Sequence, residues 1–301
     1  MLLLVTSALA LEFNVNVDLP PEAVAAGLDA DAMEAELKAA IDEKLHVADM
    51  GGYLDQMANA NLLSAKGMGA DYGSDMQRFA FGGAFGTAVN GAGLNFDGGG
   101  EAVPETGFAL QIGIMAGLNL GAFSDEDSAL RRFKIYVSGM SATTARDPLE
   151  GTFFNYAAHA QIKVVKGGSV TDPVRWGGLD LTSGYEFSSY VLTLAQDMPV
   201  NSDPLTWDAT GTYTLSAEGT SIPVEVSTNF HVLVVTAWVG AALDYNLSGT
   251  ADSEVGVAGP ITVSYDGKDA DAGSASVSLS ESGIAETYTP RAFVGLQADI
   301  F

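Results

Sequence analysis

Residues 205–218 alternate without a break between apolar and polar side chains. Leu205, Trp207, Ala209, Gly211, Tyr213, Leu215 and Ala217 fall on one face. Thr206, Asp208, Thr210, Thr212, Thr214, Ser216 and Glu218 fall on the other. A period of two means a β-strand, because successive side chains leave a strand on opposite sides. The run is more than twice the usual strand length, and it is ample for a tilted strand crossing a bilayer, which takes about 9–11 residues. One apolar face with aromatics near its ends and one fully polar face is what a transmembrane barrel strand requires.

The composition agrees with alternation throughout the chain. Of 301 residues, 47% are hydrophobic and only 17% charged, against about 25% charged in soluble domains. The mean hydropathy is +0.18, yet beyond the N-terminus no apolar run reaches the roughly 18 residues of a transmembrane helix. The charge balance is 13 Lys+Arg against 38 Asp+Glu, a net charge of -25. This argues against nucleic acid as a partner, since phosphate binding needs basic surface. There are no cysteines, so no disulfide framework exists.

Residues 1–10 read as the end of a signal peptide, with Ala8-Leu9-Ala10 as the cleavage pattern. The basic segment that normally precedes such a stretch is missing, as in a truncated or mis-set start. Residues 11–70 form a second region. Leu11–Val17 alternates briefly, and Pro20-Pro21 stops it. Met33, Leu37, Ile41 and Leu45 then recur every four residues, which predicts an amphipathic helix, with Asp29 and Asp31 as caps. A second helix is expected over 53–65. This pair is either a plug inside a barrel or a flexible periplasmic leader.

From Gln77 to the C-terminus the rhythm is period two, and residues 77–301 are expected to form the barrel. Strands are predicted near 77–90, 107–122, 131–143, 151–165, 176–194, 205–218, 222–247, 255–265, 273–281 and 291–301. Gly219-Thr220 reads as a tight connection. Beyond it the apolar face switches near Leu233–Val235, and without a turn residue there a β-bulge is favoured over a hairpin. The total is about ten strands, within a range of 8–12. The expected fold is an antiparallel up-and-down transmembrane β-barrel preceded by an N-terminal helical segment.

In that fold the polar faces look into a lumen. The candidates are His159, Gln161, Lys163, Asp180, Thr182, Glu186, Thr206, Asp208, Thr210, Thr212, Thr214, Glu225, Asn229 and His231. The lipid-facing set is Leu110, Ile112, Ile114, Tyr156, Ile162, Leu181, Tyr185, Phe187, Trp207, Tyr213 and Leu215. The lumen tilts toward acid, which favours cations or small polar solutes if it is open. A barrel this narrow, however, is readily filled by side chains.

On these residues the chain resembles Gram-negative outer-membrane β-barrel proteins. The features that carry the likeness are the Ala8-Leu9-Ala10 end, the amphipathic strands after Gln77 and the C-terminal Phe301. The resemblance is one of class. It implies an outer-membrane location, a lipid bilayer with outer-membrane lipids as partner, and other envelope or surface proteins as further candidates. One departure is that Phe301 shares its face with Asp299 and Gln297 rather than with Ile300, Ala298, Leu296 and Val294. The helical region is similar to that of plugged fatty-acid transporters, but their Asn-Pro-Ala does not occur here.

Chemistry beyond this is thin. Ser227, Asn229 and His231 share a face and could serve a lumen-active lipid enzyme, although such residues line polar walls without catalysis. Asp266, Asp269 and Asp271 could supply oxygen ligands to Ca²⁺, but the spacing of a closed calcium loop is absent, so a solvated acidic loop is the simpler reading. No cofactor is expected. The reading is therefore a non-enzymatic outer-membrane protein, structural, surface-exposed or a narrow channel. The alternative is a secreted all-β adhesin or β-sandwich binding protein.

Overall fold

The computed structural model describes residues 12–25, 27–44, 51–66, 70–73, 76–91, 106–125 and 128–298. The expected signal segment, Leu45, His46 and Phe301 lie outside them. One antiparallel sheet of twelve strands dominates. Its centre is a meander of β2 (Phe79–Gly91), β3 (Thr106–Asn119), β4 (Phe133–Arg146), β5 (Leu149–Thr171) and β6 (Val174–Asp197). It continues through β7 (Val200–Ser202), β8 (Leu205–Trp207), β9 (Thr210–Val232) and β10 (Val235–Tyr265) to β11 (Lys268–Ile284) and β12 (Tyr288–Ala298). β8 and β9 share one edge of β10 end to end, and β12 and β11 share the other. β1 (Glu12–Val17) adds to β11. The all-β expectation holds. The sheet is not closed into a barrel: β2 is one free edge, and β12 and β1 form the other.

Among the described residues three helices precede the meander: α1 (Pro21–Ala25), α2 (Ala30–Lys44) and α3 (Gly51–Ser64). None is long and apolar enough to cross a membrane. α2 packs against β1 and β7 with Met33 and Leu37 buried, so the expected stripe is in use there. α3 touches β2 and β3 at one side of the sheet and β9, β10 and β11 at the other. A single helix can do this only if the sheet curls around it. The seat is made by glycines. The Gly107 backbone lies against Gln56, Gly283 against Leu54 and Asp55, and Gly219 and Gly249 against Leu62, where any Cβ would collide. Asp55 Oδ1 accepts the Ile284 N–H at 2.7 Å, latching the helix to β11. Burial raises the Tyr53 phenol pKa, and Tyr213 beside it adds to the rise.

The sheet changes polarity along its strands, in β9 and β6 with no change in which positions face inward and in β10 across a bulge. In β9 the odd-numbered residues face the helix. Leu215 and Ala217 are buried there, and so are Ser221, Glu225, Ser227 and Asn229 further on. On the convex side Thr212 and Glu218 are exposed, then Val224, Val226 and Phe230. Apolar-in therefore becomes polar-in between Ala217 and Ser221. β10 does the same across its bulge between Asn246 and Ser248. Before the bulge Asp244 and Asn246 are buried and Leu243 and Tyr245 exposed; after it Ala251 and Val257 are buried and Asp252 and Glu254 exposed. In β6 the switch falls between Ser188 and Tyr190. Ser188 pairs with Gly219, and Gly219 with Gly249, so the switch is one level line across three strands.

Above that line lies a conventional core of Val15, Leu37, Trp207, Ile261 and Val277. Below it the convex face is an apolar belt, with Phe81 81% exposed, Ile114 67% and Val294 79%. Soluble antiparallel sheets bury their apolar face and wet their polar one. The lower half does the reverse.

Several expectations change. The run 205–218 is interrupted at Asp208–Ala209, and Gly219–Thr220 is strand interior rather than a turn. The notional turn reflects the polarity switch, which moves the apolar residues from odd to even positions. Trp207 and Leu215, expected in lipid, are buried in the interior, and Tyr213 is half-buried on the same side. Their polar partners point out rather than into a lumen: Asp208, Thr210 and Thr212 are exposed, and Thr206 and Thr214 half-exposed. At Leu233–Val234 the chain makes a two-residue hairpin, with Leu233 at φ 56, instead of a bulge. A non-glycine residue in that region is uncommon, which is why no turn signal was legible.

Candidate functional site

The inward face below the polarity line is a network of charges and amides that α3, Lys66 and Tyr72 meet from the interior. Alternation along β5 and β6 brings His159 and Glu186 together. Lys66, just beyond α3, reaches down to them. Its Nζ donates to Glu186 Oε2 at 2.5 Å and also bonds the Ser221 hydroxyl. His159 Nε2 lies 3.1 Å from Glu186 Oε1, and Ser221 Oγ donates to Oε2 at 3.1 Å. The Lys66 and Glu186 side chains are each only 3% exposed.

A second knot lies beside it. Tyr72 donates to Glu225 Oε2 at 2.5 Å. Arg291 of β12 bridges Glu225 and Asp244, with Nε 3.1 Å from Asp244 Oδ2, and stacks over Phe293 at 5.0 Å. Lys163 Nζ donates to Asp180 Oδ2 at 3.1 Å and to the Gly177 carbonyl at 2.7 Å. Amides fill the rest. Gln161 bonds Tyr136 and Thr182, each at 3.2 Å. Asn155 donates to Gln111 Oε1 at 2.9 Å, and Asn61 of α3 donates to the Ser188 carbonyl at 3.2 Å. Asp180, Glu186, Glu225 and Asp244 thus each face a cation. Such pairing is what makes burial of charge tolerable, and losing one partner of a buried pair typically costs about 3–5 kcal/mol.

Of the expected lumen residues, His159, Gln161, Asp180, Thr182, Glu186, Glu225 and Asn229 are buried in this interior, and Lys163 and His231 are half-buried at its lower end. On the convex face Ile112, Ile114, Tyr156, Leu181 and Tyr185 are exposed, and Leu110, Ile162 and Phe187 half-exposed. Sequence reasoning missed Lys66, Tyr72, Asp244 and Arg291. Asp244 and Arg291 had a signal, since each is a charge between apolar neighbours at period two. Lys66 and Tyr72 had none, because their irregular segment has no periodicity.

His231 Nδ1 is 2.8 Å from Thr236 Oγ1, and the Asn229 amide donates to the Tyr72 carbonyl at 2.9 Å. Both side chains are thus hydrogen-bonded within the interior. Asp266 is at φ 46 in the β10–β11 turn, Asp269 accepts from Ser264 Oγ at 2.5 Å, and Asp271 accepts from the Gly273 N–H at 2.9 Å. Among the described residues no group of three or more His, Asp or Glu could hold a metal.

The strands β2 and β12 face each other across a gap that is filled on the inside. Tyr72 and Phe293 pack as a tilted ring pair with centroids 4.9 Å apart. Ala80, Met115, Tyr136, Trp238 and Phe293 pack with Tyr72 and Met76 in one cluster drawn from both ends of the sheet. No curated protein matches the chain. A model of the Lsa36-like family matches residues 9–301, nearly the whole of this curled sheet and its helices, and the chain belongs to that family.

Proposed function

We propose that this chain is a non-enzymatic bacterial outer-membrane protein, held in the bilayer by its apolar belt and carrying a water-facing head above the polarity line. The observation that carries the reading is the inversion itself. Exposed apolar patches on soluble monomers seldom exceed a few hundred Å², whereas here the convex face of β2 and β3, of the lower parts of β4, β5, β6, β9 and β10, and of β12 is largely apolar. The height also fits. From Ile222 to Val232 the strand runs about 33 Å, or about 25 Å vertically at a tilt of about 40°. That is the height of the apolar band of outer-membrane barrels.

Lipid tolerates no unpaired sheet edge. The eight positions of the meander alternate in direction, so the free edges of β2 and β12 run antiparallel. In the bilayer these edges pair and close an eight-position barrel. The buried ion pairs, α3 and the side chains of Tyr72 and Met76 favour a filled interior over a channel. The polar convex face above the line, with Asp208, Thr210, Asp252 and Glu254, suits a surface head able to meet envelope or surface proteins. The test is reconstitution. The refolded chain is expected to partition into detergent or lipid vesicles, to migrate differently on gels before and after boiling, and to show no steady conductance in planar bilayers. A chain that stays monomeric in water without detergent overturns the reading.

A further inference from the structure

Part of the positive charge of this acidic chain is gathered at one place. Five of its 13 Lys and Arg residues, namely Arg131, Arg132, Lys163, Lys166 and Arg175, line a cavity of about 300 Å³ at the lower end of the sheet. The cavity lies where the β3–β4 connection meets the β5–β6 hairpin. The backbone of Gly167, Gly168 and Gly177 and the indole of Trp176 complete the wall. No carboxylate among the described residues lines it. Lys163 is bonded to Asp180 of the interior network. Arg131 is held in place by the carbonyls of Asp125 and Ser124, at 3.2 and 3.4 Å. Trp176 is fixed by its bond to Thr228 Oγ1 at 2.7 Å.

Lys163 is paired with Asp180 and Arg175 is engaged as well, and the cavity that they line with Arg131, Arg132 and Lys166 still gathers positive charge that attracts an anion. Phosphate oxygens match guanidinium forks and lysine point charges. The cavity also adjoins the lower margin of the apolar belt, where Leu130, Phe133 and Val164 are exposed. Basic clusters at such a margin bind anionic lipid headgroups. We propose that this cavity binds a phosphoester group, presented by an anionic lipid whose acyl chains lie along the belt. The lipid form rests on the membrane reading above; binding of the phosphoester itself does not.

The test uses the full chain in neutral detergent and three probes: phosphatidylcholine vesicles, the same vesicles containing phosphatidylglycerol, and soluble glycerol 3-phosphate. The key variant is the triple substitution Arg131→Gln, Lys166→Gln, Arg175→Gln; all three are at the surface or half-exposed, so the sheet is left intact. Arg146→Gln, exposed at the opposite end of β4 and β5, controls for overall charge. Each surface cation is worth about fivefold in headgroup affinity. The triple variant is therefore expected to bind phosphatidylglycerol vesicles roughly a hundredfold more weakly than wild type, and Arg146→Gln about as tightly as wild type. Glycerol 3-phosphate bound as tightly as the vesicles, and lost in the triple variant, assigns the site to a free phosphoester. Glycerol 3-phosphate binding by a chain that does not enter vesicles leaves the site standing while the membrane reading falls. Equal binding by wild type and triple variant, or no binding of either anionic probe, overturns the proposal.

Discussion

Lys66 and Glu186 show what a single residue must do in this interior. Both side chains are almost fully buried, and each is the other's main charge partner. Glu186→Ala leaves the ammonium group without its carboxylate in a low-dielectric interior and is expected to destabilise the fold by about 3–5 kcal/mol. The paired variant Lys66→Met, Glu186→Leu should cost clearly less, since no lone charge remains. Thermal or denaturant unfolding of the three proteins measures the difference, and a double variant no better than the single one would contradict the pairing. Gly107 makes a different demand, for space. Gly107→Val drives a branched side chain into the α3 backbone at Gln56 and is expected to cost about 1–3 kcal/mol. Half of this interior was legible residue by residue. Alternation put His159, Glu186 and Glu225 on one face because strand geometry fixes direction. Nothing in the sequence around Lys66 or Tyr72 encodes direction, because a side chain that descends from a loop obeys no period.

At the scale of the element, β9 explains why the run at 205–218 was so persuasive and so misleading. Alternation correctly announces a strand and says nothing about which face is inside. That choice is made by what the concave side holds: Leu62 and the apolar core above the line, Glu225 and its partners below it. A strand that keeps register while its environment inverts looks, in sequence, like two strands with a turn between them. The same logic gives a prediction. Val226→Lys places a charge on the belt and should impede folding into lipid vesicles by about 2–4 kcal/mol. Thr212→Lys, on the same strand and the same convex face but above the line, should leave insertion unchanged. Equal effects at both sites would mean that the line at Gly219 has no physical meaning. The Leu233–Val234 hairpin was hidden for a simpler reason, since a positive φ at leucine carries no compositional mark.

At the scale of the whole molecule the open question of chemistry is the seam. Since the chain has no cysteine, an introduced pair reports without background. Gly83→Cys in β2 with Val294→Cys in β12 lie on the convex side of facing edges, and a scan through Phe81, Gly83 and Phe85 covers neighbouring registers. A disulfide is expected to form in lipid vesicles if the edges pair; its absence at every register in vesicles would mean that each edge is satisfied otherwise. The eight positions of the meander, within the 8–12 expected, were legible because each strand announces itself locally. Closure was not, because it depends on two edges more than 200 residues apart in the chain.

The seating of α3 also constrains how this protein comes into being. The Asp55 carboxylate receives the Ile284 N–H, and the Asn59 side chain receives that of Glu286, at 2.9 Å. The helix emerges early in synthesis, and its last partners emerge near the end. Contacts of such long sequence separation slow folding, because loop closure precedes its reward. Until β11 arrives, the glycine-lined trough has one wall and the apolar belt has no lipid, so the nascent chain is exposed on both faces at once. On the membrane reading proposed above, such a chain needs an escort across water, and the two sides of the sheet must come together around the helix, since α3 is seated against both.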